Sequence, residues 1–68
     1  MDIKKAMNNI NSIELWNGNI FAMYNHDEIQ MVINHNGNRY ELSVKDYTIY
    51  GDAPEWLLSA LNERIFKL

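Results

Sequence analysis

The sequence predicts a small two-layer α+β domain: a short N-terminal helix, an antiparallel three- or four-stranded meander, and a C-terminal amphipathic helix packed on the sheet. Three observations carry this expectation. Runs of alternating apolar and polar residues are punctuated by Asn17-Gly18 and Asn36-Gly37, pairs whose tolerance of positive φ suits two-residue hairpins. A helix start and an apolar stripe follow the last such run. The length of 68 residues, 47% of them apolar and none of them cysteine, suits one domain (1-68) with one core and no disulfide staple.

The first helix is expected from Asp2 to about Asn9. Asp2 is a capping residue, and Ile3, Met7 and Ile10 recur at helical spacing, while Asn8, Asn9 and Asn11 favour an early end. Four runs with strand character follow. Ser12 to Trp16 alternates, with Ile13 and Leu15 on one side and Glu14 and Trp16 on the other. Ile20 to Tyr24 comes after the first Asn-Gly pair, and Asn25-His26-Asp27 makes a second turn. In Glu28 to Asn34, Ile29, Met31 and Ile33 share a face. In Arg39 to Lys45, Tyr40, Leu42 and Val44 point one way and the charged residues the other. Short reversals between such runs make an antiparallel meander. Asp46 to Tyr50 either extends the last strand or forms a connecting loop.

Asp52-Ala53-Pro54-Glu55 reads as a helix start, with Asp52 as the cap, Pro54 in the first turn and Glu55 three residues on. The helix is expected to run to about Phe66, with Leu57, Leu61, Ile65 and Leu68 as its stripe, widened by Ala60. Glu55, Ser59, Asn62 and Glu63 face outward. Trp56 and Phe66 are core or interface residues of this helix, with the core as the expectation, and Trp16 either lies under the N-terminal helix or contacts a partner.

The residue inventory argues against catalysis, which needs a nucleophile with a base, an acid–base pair or a metal. There is no cysteine and no Gly-rich phosphate loop. The one histidine–carboxylate cluster, His26-Asp27-Glu28, falls in a predicted turn. His35 lies a strand's length away, more than roughly 20 Å at ~3.3 Å per residue. No catalytic residue, metal ligand or cofactor is therefore expected. No apolar run reaches a membrane span, and the N-terminus lacks signal-peptide character, so a cytoplasmic location is expected.

Charge narrows the partners. From Ala6 to Glu63 the chain has eight acids and only two bases, Arg39 and Lys45, while Lys4, Lys5, Arg64 and Lys67 sit at the ends. Direct nucleic-acid binding relies on Lys and Arg against phosphate, and a body of net −6 opposes it. Between Asp46 and Glu55 there are three carboxylates, two tyrosines and no base. Tyrosine offers apolar area with a polar tip, and acids pair with a partner's Arg or Lys. Asp46, Tyr47, Tyr50, Asp52 and Glu55 are therefore the candidate partner-binding residues, the alternative being that they cap the helix and pack the sheet edge.

The layout, together with Met1-Asp2-Ile3 and the strand–turn–strand unit Ile33-Asn34-His35-Asn36-Gly37-Asn38-Arg39-Tyr40-Glu41-Leu42-Ser43, resembles the small phage-encoded anti-CRISPR proteins that inhibit Cas9 by occupying its DNA-binding groove. Around this turn that family carries acids, where this chain has Asn36 and Arg39. Asp46-Tyr47-Thr48-Ile49-Tyr50-Gly51 looks like a segment of phage uracil-DNA glycosylase inhibitors, a likeness that implies Tyr47 and Tyr50 as protein-contacting aromatics. Both resemblances imply a non-enzymatic, phage-type inhibitor of a host protein with a basic nucleic-acid-binding groove, acting by DNA mimicry in the bacterial cytoplasm. The alternative is a homodimeric structural or regulatory subunit, pairing through a strand edge or the C-terminal helix.

Overall fold

The computed structural model describes residues 1–66. Helix α1 (Ile3–Asn11) is followed by strands β1 (Gly18–Asn25), β2 (Glu28–His35), β3 (Asn38–Lys45) and β4 (Thr48–Gly51), then helix α2 (Glu55–Ile65). The strands form one antiparallel sheet in the order β1-β2-β3-β4, the antiparallel meander anticipated from the sequence at three or four strands, with its fourth strand at Thr48–Gly51. Among the described residues, no helix is long and apolar enough to cross a membrane.

Local chemistry explains the element ends. Asp2 is extended, and its Oδ1 accepts the Lys5 N–H at 3.1 Å, satisfying one of the free amides of the first turn of α1. Ser12 closes the helix: its hydroxyl donates to the Asn9 carbonyl at 2.8 Å. Asn36 and Gly37 both have positive φ (50° and 83°), as a two-residue hairpin of the expected kind requires.

Three expectations are corrected. Ser12 to Trp16 forms no strand; the chain caps α1 and runs irregularly to Gly18. Ile13 and Leu15 still pack against the core, so their alternation reports which side faces inward rather than pairing with a neighbour. Asn17-Gly18 accordingly joins no two strands. Asn17 has φ 56°, and its carbonyl accepts the Asn36 N–H at 3.1 Å, extending the β1–β2 ladder by one bond. Asp46 to Tyr50 neither extends β3 nor loops away: the chain reverses at Asp46-Tyr47, both at positive φ (51° and 61°), and Thr48 returns as β4.

The third correction concerns Asp52, which does not cap α2. Pro54 takes the cap position with φ −59° and ψ 147° and no side-chain bond, and its carbonyl accepts the Leu57 and Leu58 N–H groups. A residue before proline is driven from the helical region. Ala53 therefore cannot be the first helical residue that an Asp52 cap would need. Glu55 opens the helix instead, where its charge complements the helix N-terminus.

One face of the sheet is covered. Ile29, Met31 and Ile33 of β2 and Leu42 and Val44 of β3 are buried with Ala6 and Ile10 of α1 and Leu57, Leu61 and Ile65 of α2. The expected α2 stripe is thus in place as far as Ile65; Leu68 lies outside the described residues. α1 packs over β1 and β2 and against α2. There the Asn9 Nδ2 donates to the Ile65 carbonyl at 2.8 Å, using one of the carbonyls that a helix C-terminus leaves free.

Three stability measurements follow from this packing. Leu61→Ala is expected to lower the unfolding free energy by about 2–5 kcal/mol in denaturant titration, and an unchanged midpoint refutes the placement of α2. Gly51 has φ 139°, and a Cβ there meets the Leu42 side chain and comes within 2.7 Å of the Glu41 carbonyl oxygen, so Gly51→Ala is expected to cost more than about 1 kcal/mol. Asp2→Ala is expected to cost about 1 kcal/mol but Asp52→Ala no more than ~0.5 kcal/mol, which separates the cap that forms from the one that does not.

Candidate binding surface

The strand register fixes what the uncovered face of the sheet presents. Ladder partners share a face, and on this side Phe21 stands opposite Val32, which stands opposite Glu41. The next row runs Met23, Gln30, Ser43 and Tyr50. Phe21 is 63% exposed, Met23 69% and Tyr50 54%, and Val32 is half-buried. Shallow grooves run across this face, one lined by Phe21, Met23, Gln30 and Val32 and the next by Gln30, Val32, Glu41 and Ser43. The apolar patch sits at the β1 edge of this face, with polar side chains on its other sides, and exposed apolar area bordered by polar groups is a feature of protein-docking surfaces.

The rows on either side are polar. Asn19, Asn34 and Arg39 form one, with the Asn34 Nδ2 donating to the Asn19 Oδ1 at 3.1 Å. Asn25, Glu28, Lys45 and Thr48 form the other. An ion pair at 2.7 Å joins Arg39 to Glu41. Two bases, Arg39 and Lys45, thus meet two acids, Glu28 and Glu41, and the face is electrically balanced. The protein's excess acid lies elsewhere, in the turns at Asp27 and Asp46 and on α2 at Glu55 and Glu63.

The sequence-predicted binding residues are distributed over three places. Asp46 and Tyr47 occupy the β3–β4 turn. The Tyr47 ring turns to the helical side and packs on Phe66 with centroids 5.6 Å apart, beside a cleft lined by Met1, Lys5, Asn9 and Ile65. Tyr50 points the other way, onto the open face. Asp52 and Glu55 lie in and after the crossing from β4 to α2, with the length of β4 between them and Asp46. All five are exposed, and only Tyr50 shares a surface with Phe21 and Met23.

The tryptophans and histidines lie off the rows of the open face. Trp56, expected in the core, is 54% exposed and packs on His35 at 5.2 Å, because the buried stripe of α2 passes through the next residue, Leu57. Trp16 is 83% exposed, on the irregular segment that replaces the expected strand. His26 sits in the β1–β2 turn and His35 at the far end of β2.

Phe21, Met23 and Val32 were not among the residues singled out from the sequence. Their signal was present: Ile20-Phe21-Ala22-Met23-Tyr24 is apolar at every position, and such a run is apolar on both strand faces. In a domain with helices on one side only, one of those faces is left bare. No family model matches the chain, and neither a curated protein nor a solved structure resembles it at a significant level.

Proposed function

We propose that the protein is a non-catalytic binding module that docks on another protein through the open face of its sheet. The observation that carries this reading is the pair Phe21 and Met23, both largely exposed beside half-buried Val32 on a paired backbone, with exposed Tyr50 farther along the same face. Phe21 and Tyr50 supply large area with few rotatable bonds, and flexible Met23 adapts to an irregular surface. The charges of Arg39, Glu41, Glu28 and Lys45 form a rim of both signs, which favours a partner surface of mixed rather than strongly basic character.

A second reading, inhibition of a host nucleic-acid-binding protein, is supported by a different observation. Asp46, Asp52 and Glu55 are all exposed along the β4 side of the domain, where they suit a basic groove. The two readings use different residues and separate in one experiment. Proteins retained by the wild type from a bacterial lysate are compared with those retained by Phe21→Ser/Met23→Ser and by Asp46→Lys/Glu55→Lys, with circular dichroism confirming that each variant folds. Loss of the retained protein with the first variant, little affected by salt, is the expected result. Loss with the second alone, at a rate that rises with ionic strength, replaces the open-face reading with the acidic one.

A further inference from the structure

The β1 edge of the sheet adds backbone groups to the open-face side chains of the same strand. Asn17 bonds to Asn36, and Asn25 and Glu28 close the two-residue turn. In an antiparallel ladder the bonded pairs alternate, so the odd-numbered residues of β1 turn their N–H and C=O groups to β2. Those of Ile20, Ala22 and Tyr24 point outward. Among the described residues, no backbone hydrogen bond outside the sheet reaches them.

Natural sheets blunt such an edge with charge, proline, a bulge or brevity. β1 has none of these: it is eight residues long, carries no charged residue and no proline, and keeps an unbroken register from Gly18 to Asn25. β4, the other edge, has four residues with Asp46 before it and Asp52 after it.

We infer that β1 pairs antiparallel with β1 of a second copy of this chain, about a twofold axis at Ala22, giving one eight-stranded sheet. A twofold normal to the sheet keeps each residue on its own face, so the paired residues must share parity. With Ala22 opposite itself, Phe21 meets Met23 of the second copy on the open face. Ile20 meets Tyr24, which is 54% exposed in the single chain, on the helical face. The same register opposes Asn19 to Asn25 and Asp27 to Asn17, so no acid faces an acid. For a chain of net charge −3, that distinguishes this edge from the surfaces around Asp46, Asp52 and Glu63. Small Ala22 at the axis lets the backbones approach, and the open faces of the two copies become one continuous surface.

The test is the mass in solution by light scattering on a size-exclusion column and by sedimentation velocity, over a range of concentrations. The expected mass is twice the 8.0 kDa of one chain at high concentration. Ala22→Pro removes an outward N–H and no bond to β2, so it is expected to return the monomer with an unchanged circular dichroism spectrum. Tyr50→Ser, on the far side of the sheet, is expected to leave the dimer intact. Should Ala22→Pro fold poorly, exposed positions decide. Phe21→Lys/Met23→Lys sets like charges opposite one another and is expected to dissociate the dimer, whereas Phe21→Lys/Met23→Glu sets opposite charges there and is expected to retain it. A single-chain mass at every concentration up to about 1 mM, or a dimer that persists in Phe21→Lys/Met23→Lys, overturns the inference.

Discussion

Burial of β2 is the constraint on which the other elements depend. Ile29 and Ile33 have no exposed surface and Met31 almost none, and the strand is paired along its full length on both sides. Covering these side chains requires the helices. With 9 and 11 residues, the helices are roughly 14 and 16 Å long at ~1.5 Å per residue. Side by side at about 8–10 Å, they span a sheet whose four strands lie ~4.8 Å apart. Two such helices suffice for one face. Among the described residues nothing remains to cover the other, and the aromatic and apolar side chains of β1 on that face are left to solvent.

This division also sorts the charges. Among the described residues the buried set contains no polar or charged residue, so their ionisable groups reach the surface and are free to be placed by function or solubility. The open face has bases and acids in equal number, while the acidic excess is carried by turns and by the outer side of α2. Mimicry of nucleic acid calls for carboxylates along a track like that of phosphates. The acids here stand at opposite ends of β4 and on a helix behind it, and the tyrosines of the same segment point to opposite sides of the sheet.

Much of the architecture was legible because it rests on local signals. The alternation in β2 and β3, the Asn36-Gly37 turn and the Leu57/Leu61/Ile65 stripe each follow from residue periodicity or from the φ tolerance of a few side chains. What escaped was set by tertiary context. β4 was ambiguous because its hairpin turns on Asp46-Tyr47, and a tyrosine at φ 61° is a costly choice where Asn or Gly is the ordinary one; its ring packs on Phe66. Asp52 looked like a cap, yet Pro54 dictated an extended Ala53 and moved the helix start beyond its reach. The open-face patch was missed because Ile20 to Tyr24, apolar at every position, carries no alternation that assigns its faces. Ile20 to Tyr24 can be apolar throughout while only Ile20, Ala22 and Tyr24 face the helices.

The two edges of the sheet show how the same chain is closed on one side and open on the other. At β4 the strand is held to four residues. Gly51, at φ 139°, takes a backbone that a side chain resists, and beside Leu42 and Glu41 there is no space for one. The chain leaves the sheet after Gly51, which is still paired with Leu42, into the Asp52–Pro54 crossing that leads to α2. At β1 nothing ends the strand early. It is as long as β2, and the segment leading from α1 reaches it only at Gly18, so its outward amides stay unclaimed by the chain. Phe21 and Met23 stand on this same strand. The unpaired backbone and the exposed apolar side chains thus lie on one strand, at the edge opposite the short β4.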